Sequence, residues 1–81
     1  MTEKALTLYS TKGCHLCEEA EALLRARRDR QPDTDWEVVD IANDDQLFER
    51  YGWLIPVLRD GSGRELRWPF DERGLDAYLE H

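Results

Sequence analysis

Apolar positions fall in short blocks whose spacing changes along the chain, and each change of period marks a boundary between elements. Ala5-Leu6-Thr7-Leu8-Tyr9-Ser10 is a largely apolar run ending at Thr11-Lys12-Gly13, the pattern of a short strand followed by a tight loop. From His15 to Arg28 the period becomes helical, with Leu16, Ala20, Leu23 and Leu24 recurring three and four apart as one stripe. Arg27 continues that stripe, and its aliphatic stem is expected to cover the core edge while its charge reaches water. Glu18, Glu19 and Glu21 crowd the first turns; Arg25, Arg27, Arg28 and Arg30 crowd the last. That order suits the helix dipole, and Glu21 with Arg25 forms a favourable i,i+4 pair. Gln31-Pro32-Asp33 ends the helix.

The second half repeats the alternation with shorter units. Trp36 to Ile41 reads as a strand, and Val38-Val39 predicts that it is buried. Asp44 suits the N-cap of a short helix carrying Leu47, Phe48 and Tyr51, with Gly52 where that helix would stop. Ile55 to Arg59 is a third strand. Asp60-Gly61-Ser62-Gly63 turns the chain back into Arg64 to Trp68 as a hairpin. Asp71 then caps a last helix with Leu75, Tyr78 and Leu79 inward. The order is β-α-β-α-β-β-α. A β-α-β start implies a parallel, right-handed crossover, and the hairpin adds antiparallel strands. The predicted class is therefore α/β, a four-stranded mixed sheet with helices on both faces.

Composition narrows the function. With 81 residues the chain is expected to form one domain, residues 1–81, and 41% hydrophobic residues suffice for a core. Eighteen acidic and 11 basic side chains leave a charge of −7, which argues against binding nucleic acid or an anionic membrane surface. No secretory leader pattern or bilayer-length apolar run is present, so a cytoplasmic protein is expected; a monomer is expected as well. Leu79-Glu80-His81 matches the start of a common expression-tag remnant, and His81 is given no function.

In such a compartment Cys14 and Cys17 are not expected to be a structural staple. Their disulfide closes so small a loop that chain entropy assigns it only about 2 kcal/mol. The pair opens the amphipathic helix, so unpaired backbone N–H groups and the positive end of the dipole face the Cys14 sulfur. This placement favours a thiolate at Cys14, and Lys12 and His15 add positive potential. Cys17, one turn in and beside Glu18 and Glu19, is the natural resolving thiol. Two rivals stand beside a thiol–disulfide oxidoreductase. The pair supplies only two metal ligands, and His15 between them cannot complete a tetrahedral site, so a zinc ion or iron–sulfur cluster would have to bridge two chains. A redox-inert interaction domain is the other.

The strand, Cys14-His15-Leu16-Cys17 on a helix start, and a later Ile55-Pro56 opening a strand together resemble the thioredoxin superfamily, and within it the small glutaredoxin-like proteins. The resemblance covers nearly the whole chain. It implies a thioredoxin-like fold and a dithiol enzyme reducing protein or low-molecular-weight disulfides, with no resident metal or cofactor. It implies glutathione or a thioredoxin-type reductase as electron donor, and a cis Ile55–Pro56 bond that offers the Ile55 N–H and C=O to an extended substrate. Two departures bear on the partner. His15 stands where glutaredoxins usually carry proline, adding a titratable group. Arg67-Trp68-Pro69-Phe70-Asp71-Glu72 replaces the glycine-rich segment that holds glutathione; its acidic pair repels a carboxylate, whereas Arg67 and Arg73 attract one. Trp53, Trp68 and Phe70 fall in the flanking loops; at least two are expected to pack on the core, and the alternative is an apolar rim for a protein substrate.

Overall fold

The computed structural model describes residues 6–80. Ala5, expected to open the first strand, and His81, read as a tag remnant, lie outside the described residues. Strand β1 (Leu6–Ser10) leads to helix α1 (His15–Arg30), β2 (Trp36–Asp40), a 3-10 turn (Ile41–Asn43), α2 (Asp45–Tyr51), β3 (Val57–Arg59), β4 (Glu65–Arg67) and α3 (Glu72–Leu79). The sheet order is β2-β1-β3-β4, with β1 parallel to β2 and both other pairings antiparallel. The expected topology is therefore the one found.

Alternation along the central strands builds two cores. Leu6, Leu8 and Leu58 point to one face, where Ala20 and Leu24 of α1 and Leu75 and Tyr78 of α3 cover them. Tyr9 and Val57 point to the other and meet Ile41 and Tyr51. Tyr9 and Tyr51 stack with ring centroids 4.4 Å apart. Helices thus lie on both faces, and a slip of one residue in β1 or β3 would exchange the two cores.

Local signals explain the element ends. Asp44 Oδ1 accepts from the N–H groups of Gln46 and Leu47 at 2.9 and 3.2 Å, starting α2 as its cap. Asp71 does the same for α3 through the Gly74 N–H at 2.8 Å. In the β3–β4 turn Asp60 Oδ1 accepts from the Ser62 and Arg64 N–H groups. Gly63 there has φ +92°, a conformation that disfavours any side chain.

Five expectations need correction. Val38 is 48% exposed, because β2 is an edge strand rather than a buried one. Ile41 leaves the strand and opens the 3-10 turn, fully buried there. In α1 the buried stripe is Cys17, Ala20, Leu24 and Arg27, with Leu16 43% exposed. Arg27 does not reach water: its guanidinium is held by Asp76 at 2.6 Å and Glu80 at 3.4 Å on α3. In α2 only Tyr51 is buried, while Phe48 faces solvent.

Helix α3 is pinned to the hairpin by Tyr78. Its hydroxyl donates to the Arg64 carbonyl at 2.7 Å, and Arg64 returns a bond to the Tyr78 carbonyl at 3.2 Å. Burial pushes the Tyr78 phenol up to about 12. The unfolded phenol ionises near 10, so the stability this group contributes is complete below about pH 10 and is lost as pH rises through the folded value. Tyrosinate absorbance followed with circular dichroism should show Tyr78 ionising near pH 12, with stability falling as the pH rises from about 10 toward that value. Ionisation of Tyr78 near pH 10 with the fold intact would contradict this.

Candidate active site

The site is built where β1 gives way to α1. Gly13 turns the loop with φ +74°, a backbone requirement since a side chain there would meet nothing. Cys14 follows as the N-cap of α1 in extended conformation, and its carbonyl accepts the Glu18 N–H at 3.1 Å. Its Sγ accepts the Cys17 backbone N–H at 3.1 Å, filling the place a serine or aspartate oxygen takes in most helices. Cys14 and Cys17 are joined as a disulfide with Cα atoms 5.2 Å apart. Exposure separates the two sulfurs: Cys14 is half-buried, whereas Cys17 retains 3% of its surface.

The residues around the pair divide by where they point. Lys12 is exposed in the loop. His15 is exposed and turns along the helix, with Nε2 3.2 Å from Glu19 Oε2. Its field at Cys14 is thus shared with a carboxylate, which the sequence reading did not anticipate. Among the described residues no group of three or more His, Cys, Asp or Glu is arranged to hold a metal ion. No described helix is long and apolar enough to cross a membrane.

The second wall comes from the segment before β3. Tyr9, next to the end of β1, pairs with Val57, the residue that opens β3 directly after Ile55-Pro56. The loop that carries the cysteines therefore leaves the sheet next to Ile55-Pro56. The Ile55–Pro56 bond is cis, as the resemblance implied, and Pro56 is fully buried. One part of that expectation changes: the Ile55 N–H is not open to a substrate but donates to the Tyr51 carbonyl at 3.2 Å. The Pro56 carbonyl is likewise taken, by the Trp68 N–H at 3.3 Å. This second bond ties the segment to another cis proline, Trp68–Pro69, which the sequence reading missed. An aromatic residue directly before proline was the signal available. Of the three flanking aromatics, Trp68 and Phe70 pack against the first core as expected, and Trp53 is 97% exposed.

Residues 5–80 match the family model of the glutaredoxin-like domain (DUF836). The chain belongs to this glutaredoxin-like family. Solved structures extend the likeness. The X-ray structure of the structural-genomics target XcR50 from X. campestris is 44% identical, covering 93% of this chain and 95% of that one, with TM-score 0.84. Protein Ne2328 from Nitrosomonas europaea is 31% identical over 96% and 93%, with TM-score 0.80. Thioredoxin 1 from Thermosipho africanus TCF52B, at 15% identity over 94% of each chain and TM-score 0.62, shares the fold. No curated protein matches. The glutaredoxin-like family, the thioredoxin fold and the C-x-x-C pair together support a redox role for Cys14 and Cys17.

Proposed function

We propose that this glutaredoxin-like protein is a thiol–disulfide oxidoreductase that reduces disulfides of proteins or small molecules. The observation that carries the reading is the unequal setting of the two sulfurs. Cys14 is reachable and accepts a helix N-terminal N–H, while Cys17 is buried beneath it. A thiolate at Cys14 keeps that hydrogen bond and the dipole's support, which lowers the cost of ionisation. The Cys14 thiolate attacks one sulfur of the substrate disulfide, forming a mixed disulfide and expelling the other sulfur as a thiolate. Cys17, deprotonated, attacks the Cys14 sulfur; the Cys14–Cys17 disulfide forms and the second substrate thiolate leaves. Two electrons pass to the substrate, and two protons from solvent complete its thiols.

In this reading Lys12 and His15 set the potential around Cys14, with Glu19 tempering His15. Ile55 and Pro56 orient the substrate through the Ile55 carbonyl, which has no hydrogen-bond partner among the described residues. Trp53 offers apolar surface just before that segment, favouring a protein substrate. The electron donor is glutathione or a thioredoxin-type reductase, the working form is a monomer, and the compartment is the cytoplasm. Iodoacetamide alkylation of the reduced protein tests the central claim. Cys14 should react fully at pH values well below about 8.5, the range of a free thiol, with Cys17 protected. Alkylation of Cys14 that rises only near pH 8.5 would overturn the assignment.

A further inference from the structure

A groove of about 470 Å³ opens between α1 and the segment before α3, lined by Glu19, Ala22 and Leu23 of α1 and by Trp68, Phe70 and Asp71. Its floor is fixed, since the Trp68 and Phe70 rings meet edge to face with centroids 5.0 Å apart and rest on the first core. Both ionisable groups that line it, Glu19 and Asp71, are carboxylates, in a chain of net charge −7. Glu19 faces His15 at 3.2 Å and Asp71 caps α3, but Arg67 is paired with Glu65 and Arg30 with Glu72, and Arg73 lies outside the lining, so two carboxylates against at most one imidazolium leave the rim net negative. Each wall is one contact from the site. Glu19 touches His15, the neighbour of Cys14, and Trp68 donates its N–H to Pro56.

We propose that this groove binds an apolar side chain flanked by lysine or arginine on the disulfide-bearing protein substrate. Glu19 lies five residues beyond Cys14, about 7 Å along the helix axis, and an extended peptide covers that in roughly two to four residues. The recognised side chain therefore sits about that far from the substrate cysteine attacked by Cys14. The volume suits one large side chain with its neighbour, and the carboxylate rim complements a cation. Glutathione, with two carboxylates and no apolar side chain, is disfavoured by the same groove. The inference rests on the dithiol reading of Cys14 and Cys17.

Symmetric disulfides of single-cysteine peptides test it, carrying Phe-Lys, Phe-Glu or Ser-Ser three residues before or after the cysteine, with hydroxyethyl disulfide as a reagent too small to use the groove. At low ionic strength kcat/KM for Phe-Lys should exceed that for Ser-Ser by about tenfold and that for Phe-Glu by about fivefold, on one side of the cysteine. Glu19→Lys should reverse the order of the Lys and Glu peptides, and Ala22→Trp, which fills the groove, should erase the advantage of phenylalanine. Equal values for all peptides, with hydroxyethyl disulfide still reduced, would overturn the groove proposal and leave the dithiol chemistry standing. Failure to reduce any of these disulfides would remove the dithiol reading, and the groove proposal with it.

Discussion

Serine in place of Cys14 is expected to lower disulfide turnover by about a thousandfold or more, whereas serine in place of Cys17 should halt the reaction at a covalent intermediate. The reasoning begins with the cap. Serine is among the preferred N-cap residues, so Cys14→Ser retains an acceptor for the Cys17 N–H and α1 still starts at His15. The disulfide itself contributes only about 2 kcal/mol by loop closure, and comparison with the reduced parent removes even that. A loss of turnover then reports chemistry, because a hydroxyl is not ionised where a thiolate is. In Cys17→Ser the attacking thiolate remains and the resolving one is gone. Mass spectrometry should find the substrate attached to Cys14. Exchanged behaviour of the two variants would make Cys17 the nucleophile, against its 3% exposure. Turnover that survives in Cys14→Ser would remove the pair from catalysis altogether.

The sequence was most readable where a local signal decides the outcome. The loop at Gly13, the cap at Asp44, the turn at Asp60 and the cap at Asp71 each lie within a few residues of the backbone they organise, and all four were found in place. The reactive pair was legible for the same reason, since a cysteine at a helix N-cap is defined by its immediate neighbours. The cis bond at Pro56 came from likeness to a family. What failed to read depends on distant partners. Val38 and Val39 look equally apolar, and only the sheet order reveals that β2 has a free edge. Leu16 and Cys17 are adjacent, and only the packing of α1 on the sheet reveals that Cys17 is the buried one. The Ile55 N–H is the exception: its partner, the Tyr51 carbonyl, lies only four residues back at the end of α2 and leaves no mark on the apolar pattern. The groove joins α1 to a loop nearly fifty residues away, where aromatic side chains gave no sign of which wall they would meet.

Arg27→Ala is expected to destabilise the protein by about 2–3 kcal/mol, a large share of the stability of a domain this small. Arg27 is the clearest case of a residue whose pattern position was right and whose role was not. Its side chain is 9% exposed and bridges α1 to α3, donating to Asp76 at 2.6 Å, while Glu80 at 3.4 Å lies mostly in water. Removing it opens a hole between the two helices and strands Asp76, which keeps only the more exposed Arg30 at 3.3 Å. The loss stays below that of a fully buried pair for two reasons. Asp76 retains access to solvent, and Arg27 Nε is already buried without a partner, a cost that the substitution relieves. Arg27→Met, which refills the space, should therefore recover much of the deficit. The pH dependence separates packing from charge. The hydrogen bond from Arg27, and then that from Arg30, hold the Asp76 carboxyl below its usual value of 3.8. A depressed carboxyl contributes stability that is present above its ordinary range and disappears as pH falls through the folded value. Urea titrations at neutral pH and on acidification should then show the parent losing more stability than either variant as Asp76 is protonated. A neutral-pH difference for Arg27→Ala within about 0.5 kcal/mol would mean that the α1–α3 bridge contributes no more than a surface ion pair. Equal acid sensitivity of parent and variants would place the effect in packing alone.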